Sequence, residues 1–240
     1  MIQDFNCDLG EGEPLARTRM LMRWIGSANV ACGGHAGDAA TMERCVQLAG
    51  GNGVRLGAHP GPWSRADFGR GAVRLTPREL EALLLQQIGS LEVIARAAGV
   101  ALHHIKLHGA LYHAVEQSES MARSYLAIVR RWWPRCVLYV RAGGWVERLG
   151  RVSPSRPPRL WAEVFADRAY REDGLLVPRD RPDALLRTAA EVRRQVRELH
   201  LKGGVTTVEG RWIPLRGRTL CLHSDSGQAG ARARLVAGLL

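Results

Sequence analysis

Strand-like segments in this 240-residue chain repeatedly end in glycine-punctuated clusters of ionisable side chains. That repetition restricts the possible folds more than any other feature. Asp8 and Glu11, His35 and Asp38, His59, Lys106 and His108, Asp167 and Arg168, and His223 and Asp225 each stand just past a short apolar or alternating run. Segments with helical spacing lie between the runs, so the order is strand then helix, repeated. No break in composition marks a second domain, and residues 1–240 read as one α/β domain. In a parallel barrel the carboxyl ends of the strands share one face, which would gather these clusters into a single site.

The individual segments support this reading. Ile2–Leu9 alternates, with Asp4, Asn6 and Asp8 on one face and Phe5, Cys7 and Leu9 on the other. In His104–Tyr112, the side chains of His104, Lys106 and His108 share a face, and Gly109 then ends the strand and lets the backbone turn close to the site. Lys106 is one of only two lysines, the other being Lys202, in a chain that otherwise uses arginine for positive charge. A compact amine whose pKa responds to its surroundings has been kept at that position. Further strands are expected over Ser27–Cys32, Val54–Ala58, Cys136–Val140, Leu160–Phe165 and Thr219–Leu222, with little polar chemistry at the end of Cys136–Val140. Helices are expected over Arg17–Trp24, from Ala39 to Gly50 with Asp38 as cap, from Thr76 to Ala98, over Ser118–Trp132 and over Asp183–Leu199. The clearest is the one opened by Thr76-Pro77-Arg78-Glu79, a capping box with proline at the first turn. Thr206–Ile213 reads as a hairpin turning near Glu209-Gly210, and the tail as a helix. Trp63 to Arg70 lies in a loop long enough to act as a lid.

Bulk properties remove several classes. No apolar run approaches the roughly 20 residues that cross a bilayer, and the first residues lack a basic-then-apolar leader. A cytoplasmic protein is the expectation. The five cysteines are scattered without a CxxC pair, so neither a disulfide framework nor a structural zinc site is expected. The net charge of +11 raises the question of nucleic acid. The densest basic cluster, Arg130-Arg131-Trp132-Trp133, reads instead as a helix end with tryptophans folded onto the body. Neither nucleic acid nor membrane is expected as a partner; an acidic ligand or subunit is.

With these segments assembled, the chain resembles the LamB/YcsF family. The motifs are Asn6-Cys7-Asp8-Leu9-Gly10-Glu11-Gly12, Ala28-Asn29-Val30-Ala31-Cys32-Gly33 with His35-Ala36-Gly37-Asp38, and Gly57-Ala58-His59-Pro60. They continue with Phe68-Gly69-Arg70, Lys106 with His108-Gly109-Ala110-Leu111-Tyr112, and Glu163-Val164-Phe165-Ala166-Asp167-Arg168-Ala169-Tyr170. The resemblance implies a distorted, TIM-like (β/α) barrel of about seven strands, of the glycoside hydrolase and deacetylase type. This chain departs from the family pattern at four places. Gly34 stands where an aromatic is usual, Leu107 where a proline is, His113 where a small polar residue is, and Ser224 where a glycine is.

The activity implied by the resemblance is that of the A subunit of a 5-oxoprolinase, which opens 5-oxo-L-proline to L-glutamate as ATP becomes ADP and phosphate. Subunits B and C are the implied partners, and a homo-oligomer is a further possibility. The chain has no GxxxxGK[ST] loop, so ATP would be held by a non-standard site or with the partner subunits. Under this reading Asp8 or Glu11 orients or deprotonates water, and His35, His59 and His108 are proton-transfer groups or ligands. Lys106 and Arg168 hold a carboxylate, oxyanion or phosphate, and Asp167, His223 and Asp225 orient other groups or touch substrate. Asn6, Asn29, Asp38, Arg70, Tyr112 and Glu163 complete the substrate-binding set. Replacement of Lys106 by Met is expected to remove turnover with the fold intact. A divalent metal is possible, and Asp8, His35 and His59 would supply an Asp/His/His set for a stand-alone deacetylase-like hydrolase. A non-catalytic substrate-binding subunit is the remaining alternative.

Overall fold

In a computed structural model, residues 1–152, 157–224 and 228–240 are described. Seven parallel strands close into a barrel: β1 (Asp4–Leu9), β2 (Ser27–Ala31), β3 (Arg55–His59), β4 (Leu102–Lys106), β5 (Val137–Arg141), β6 (Arg159–Phe165) and β9 (Thr219–Leu222). The last strand pairs with both β6 and β1 and so closes the ring. The outer layer comprises α1 (Leu15–Leu21), α2 (Ala39–Asn52), α3 (Pro77–Ala97), α4 (Gly109–Gln117), α5 (Glu119–Trp132), α6 (Trp145–Arg151), α7 (Ala189–Arg197) and α8 (Ala229–Ala237). A small antiparallel hairpin, β7 (Gly204–Thr206) with β8 (Trp212–Pro214), lies between β6 and β9 in the chain. The TIM-like barrel of about seven strands is therefore the observed architecture.

The period-two pattern of the strands produces two different layers. Outward side chains such as Phe5, Cys7, Leu9, Ile105 and Val164 are buried against the helices in one apolar core. Inward side chains are polar and joined in a continuous ladder. At its base Asp4 accepts from Ser27 Oγ (2.8 Å), Tyr139 Oη (3.0 Å) and Thr219 Oγ1 (2.6 Å). Asn6 Nδ2 donates to Thr219 Oγ1 (2.7 Å), and Asn29 Nδ2 donates to both Asn6 Oδ1 and Asp8 Oδ1 (2.7 Å each). A polar interior is tolerable because nearly every group has a partner.

α3 is built as its sequence dictates. Thr76 and Glu79 form the reciprocal capping box, and Leu80, Leu83, Leu84, Ile88 and Leu91 make the buried stripe. Trp132 and Trp133 donate their indole N–H groups to Glu81 (2.6 Å) and Glu92 (3.2 Å) of α3, so the basic aromatic cluster is tied to a neighbouring helix. All five cysteines are free and buried. No helix among the described residues is long and apolar enough to cross a membrane.

Two helix expectations need correction. The Asp183–Leu199 helix begins only at Ala189, where Thr188 and Glu191 form a second capping box, and its end passes into a π-helical turn, Glu198–Lys202. Residues before the cap are held otherwise, Leu186 N donating to Asp167 O (3.0 Å). Gly109 does not merely end a strand: it starts α4, with His108 at the N-cap.

α4 also carries a buried acid. Glu116 accepts from the backbone N–H of Arg141 (3.1 Å) and Val146 (3.4 Å), linking α4 to β5 and α6. Burial pushes its carboxyl up to about 7. A raised carboxyl contributes most below its unfolded pKa, and that contribution is lost as pH rises toward about 7. In urea melts, wild type and Glu116→Gln should therefore run together near pH 4. They should separate as pH rises to 8, wild type becoming the weaker by on the order of 3 kcal/mol at most.

Candidate active site

The carboxyl ends of the strands surround a cavity of about 370 Å³. At its floor Lys106 Nζ lies 2.7 Å from Asp8 Oδ1 and 3.1 Å from Glu163 Oε1, so one ammonium is shared by two buried carboxylates. Burial works against the Lys106 charge, but Asp8 and Glu163 outweigh it and hold its pKa well above the ordinary value. Asp8 is likewise opposed by burial, yet the Lys106 ammonium bonded to it holds it well below the usual carboxylate range. Glu163, enclosed behind the lysine, is raised by burial despite that partner. Asp8 is therefore the ionised base facing the cavity, and Glu163 fixes the lysine from behind.

A histidine cluster forms the adjoining wall. Glu11 Oε1 is 2.9 Å from His35 Nε2, 3.1 Å from His108 Nδ1 and 3.6 Å from His59 Nε2. His35 and His108 stack with ring centroids 3.5 Å apart. Burial pushes His59 down to about 3, so its imidazole is neutral near pH 7. The turn carrying Glu11 is fixed by Glu13, whose carboxylate accepts from the N–H groups of Gly10 (2.8 Å) and Glu11 (2.9 Å). The 61–70 loop closes over this wall, and Gly109 makes that possible. Its φ is +53°, and a Cβ there would meet Gly69 O at 2.6 Å.

The predicted residues separate by depth. Asp8, Glu11, His59, Lys106, His108 and His223 reach the cavity, as do Arg70, Tyr112 and Arg168. His35 sits behind Glu11, and Asp167 sits behind His223, whose Nδ1 lies 3.0 Å from its Oδ1. Asn6 and Asn29 lie within the barrel below the floor and orient Asp8 rather than contact a ligand. Asp38 is exposed and caps α2, accepting from Thr41 N (2.7 Å), so it is not a binding residue. Asp225 lies outside the described residues. His104 donates to Asn29 Oδ1 (2.7 Å) and stacks on Tyr139, which makes it part of the barrel interior.

Some contributors had not been singled out. Arg141, at the end of β5, faces the cavity, which corrects the reading of that strand end as chemically bare. Arg171 and Arg179 join it there, beside His113, already marked as a departure from the family pattern. Arg168 donates to the carbonyls of Val177 (2.6 Å) and Ala184 (3.4 Å), and burial lowers its pKa to about 10. Gln87 clamps Gly61 from α3, accepting from its N–H (3.0 Å) and donating to its carbonyl (2.7 Å). It occupies the space a side chain at Gly34 would enter. Gln195 of α7 similarly donates to the carbonyls of Phe165 and Arg168 (2.8 Å each). The available signal was a glutamine within the apolar stripe of each helix.

A closed parallel barrel with its ionisable groups at the carboxyl ends of the strands belongs to the class of (β/α)-barrel proteins whose active sites occupy that face. More specifically, a LamB/YcsF family model matches residues 3–240, and the chain belongs to that family. It is 40% identical over 229 residues to the 5-oxoprolinase A subunit of Pyrococcus abyssi, covering 94% of this chain and 89% of that one. Identity is 39% to the 5-oxoprolinase A subunit of Brevibacillus brevis, over 97% of this chain and 92% of the relative. Among solved structures, the lactam utilization protein from Thermus thermophilus superposes with a TM-score of 0.89 at 34% identity. That match covers 100% of this chain and 96% of the other.

Proposed function

We propose that this chain is the A subunit of an ATP-dependent 5-oxoprolinase and opens the lactam of 5-oxo-L-proline to L-glutamate. The observation that carries this reading is the Asp8–Lys106–Glu163 array beneath a cavity rimmed by Arg70, Arg141 and Arg168. Arginines suit the substrate's carboxylate, and the lysine suits the lactam oxygen and the negative phosphate it receives. Asp8 takes a proton from water as the water oxygen bonds to the lactam carbon. The ring C–N bond then breaks, and the nitrogen takes up a proton, with His223 of the cavity lining as its relay.

An unstrained lactam is a poor electrophile, and phosphorylation of its oxygen by ATP makes the attack feasible. Another water then releases phosphate. The cavity lies at the small end of the range for ligand pockets, which favours the lactam as its occupant and leaves ATP to a surface shared with subunits B and C. The relatives named as A subunits of 5-oxoprolinase support the same assignment.

Glutamate formation from 5-oxoproline should require ATP and rise from background to steady turnover when B and C subunits are added to this chain. ATP-independent glutamate release by the isolated chain would favour a stand-alone hydrolase instead. Tight 5-oxoproline binding with no turnover in the complete assembly would favour a binding subunit.

A further inference from the structure

We infer that Glu11, His59 and His108 form a divalent transition-metal site in the cavity wall, with His35 holding Glu11 from behind. Two backbone carbonyls fix where the imidazole protons must be. His59 Nδ1 lies 2.8 Å from the carbonyl oxygen of Lys106, and His108 Nε2 lies 2.9 Å from that of Phe68. A carbonyl only accepts, so both nitrogens carry hydrogen and donate. In the neutral rings the other nitrogens, His59 Nε2 and His108 Nδ1, then present lone pairs. They face one another at 2.9 Å, and Glu11 Oε1 stands 3.6 and 3.1 Å from them.

Two lone pairs and a carboxylate oxygen converging in a buried space repel one another unless a positive charge lies between them. Backbone carbonyls that fix the tautomer of two histidines are the usual support of a metal-ligating pair. His35 fits the same scheme. Its Nε2 is 2.9 Å from Glu11 Oε1, whereas its Nδ1 is buried with no partner. The proton belongs on Nε2, donated to the carboxylate, leaving the other lone pairs of Glu11 available.

The spacing is right for a common ion. At metal–ligand distances of about 2.1 Å, neighbouring ligand atoms of a tetrahedral site stand roughly 3.4 Å apart, and the three observed separations bracket that value. All three ligand residues line the cavity, as do Asp8 and Lys106, while His35 does not, so an ion held there would be reachable from the cavity. The set differs from the Asp8, His35 and His59 trio expected from the sequence: Glu11 Oε1 approaches both His59 and His108, whereas Asp8 Oδ1 is engaged by Lys106 and Asn29 and its Oδ2 approaches His59 Nε2 (3.5 Å), and His108 replaces His35. Phe68 supplies a separate indication. It is the one non-glycine residue among the described residues with positive φ (+57°), a conformation unfavourable for an aromatic residue. That conformation accompanies the aim of its carbonyl at His108 and is typical of functional sites. Two nitrogens with one carboxylate suit zinc, manganese or iron(II).

The inference is independent of the lactam as substrate, and its test needs no turnover. The full chain, stripped with chelator, is titrated with Zn²⁺ by calorimetry and with Co²⁺ by visible absorption. One ion per chain is expected, with a cobalt spectrum typical of nitrogen and oxygen ligands. His59→Ala and His108→Ala should each weaken binding at least about 100-fold, and His35→Asn about 10- to 100-fold. Wild-type protein that binds no stoichiometric ion, and gives no cobalt band, would overturn the site and leave a bridging proton as the source of charge. So would undiminished affinity in a folded His59→Ala/His108→Ala double variant, folding being checked by circular dichroism. The wild-type cobalt spectrum decides the matter even if the variants do not fold.

Discussion

Lys106→Met should lower 5-oxoproline turnover by about 10³-fold or more, since under the proposed function it removes the ammonium set against the lactam oxygen and its phosphate. It should also destabilise the protein by about 3–5 kcal/mol. Lys106 is 3% exposed and lies between Asp8 and Glu163. Without it two carboxylates are buried together, and one must take up a proton or the floor must open. The two effects can be separated. Lys106→Met/Glu163→Gln removes one of the stranded charges, so urea melts should recover most of the lost stability while turnover stays absent. Near-normal activity of Lys106→Met in the presence of its partners would refute the assignment. A single variant as stable as wild type would refute the electrostatic account of the floor.

The second large effect falls on stability alone. Gly57→Ala should cost about 3 kcal/mol, at the upper end for overpacking, and lower the Tm by several degrees. A Cβ at Gly57 would enter the ring of His104. That ring cannot withdraw, because Asn29 holds its Nε2 and Tyr139 stacks on its face at 4.0 Å. A thermal scan that leaves the Tm unchanged would show that the barrel interior can yield there. His104→Ala in the same chain should recover part of the loss by vacating the space.

The barrel was legible because two signals coincide in its strands: a period of two along each, and ionisable residues with glycine at each carboxyl end. Closure of the ring was not legible in the same way, and came from the family resemblance. Depth along the barrel axis was also hidden. Asn6 and Asp8 occupy the same face of β1, yet only Asp8 reaches the cavity, and nothing in an alternating pattern says where the floor lies. Arg141 and Arg179 were passed over because arginine is abundant here, and abundance removes the contrast that made Lys106 visible. α4 was missed because Gly109 serves as both close contact and first helical residue, and a glycine is read first as a break.

Closure of the ring by β9 has a consequence for how the chain reaches its native state. Asp4 and Thr219, 215 positions apart, share a hydrogen bond inside the barrel, so of the barrel's own strands the earliest in the chain is completed by the latest. Until then the carboxylate of Asp4 and one edge of β1 remain unfinished. Contacts of this separation make folding slow, and the nascent barrel stays an open sheet through nearly all of its synthesis. The exposed edge strand of that intermediate is where misassembly would begin.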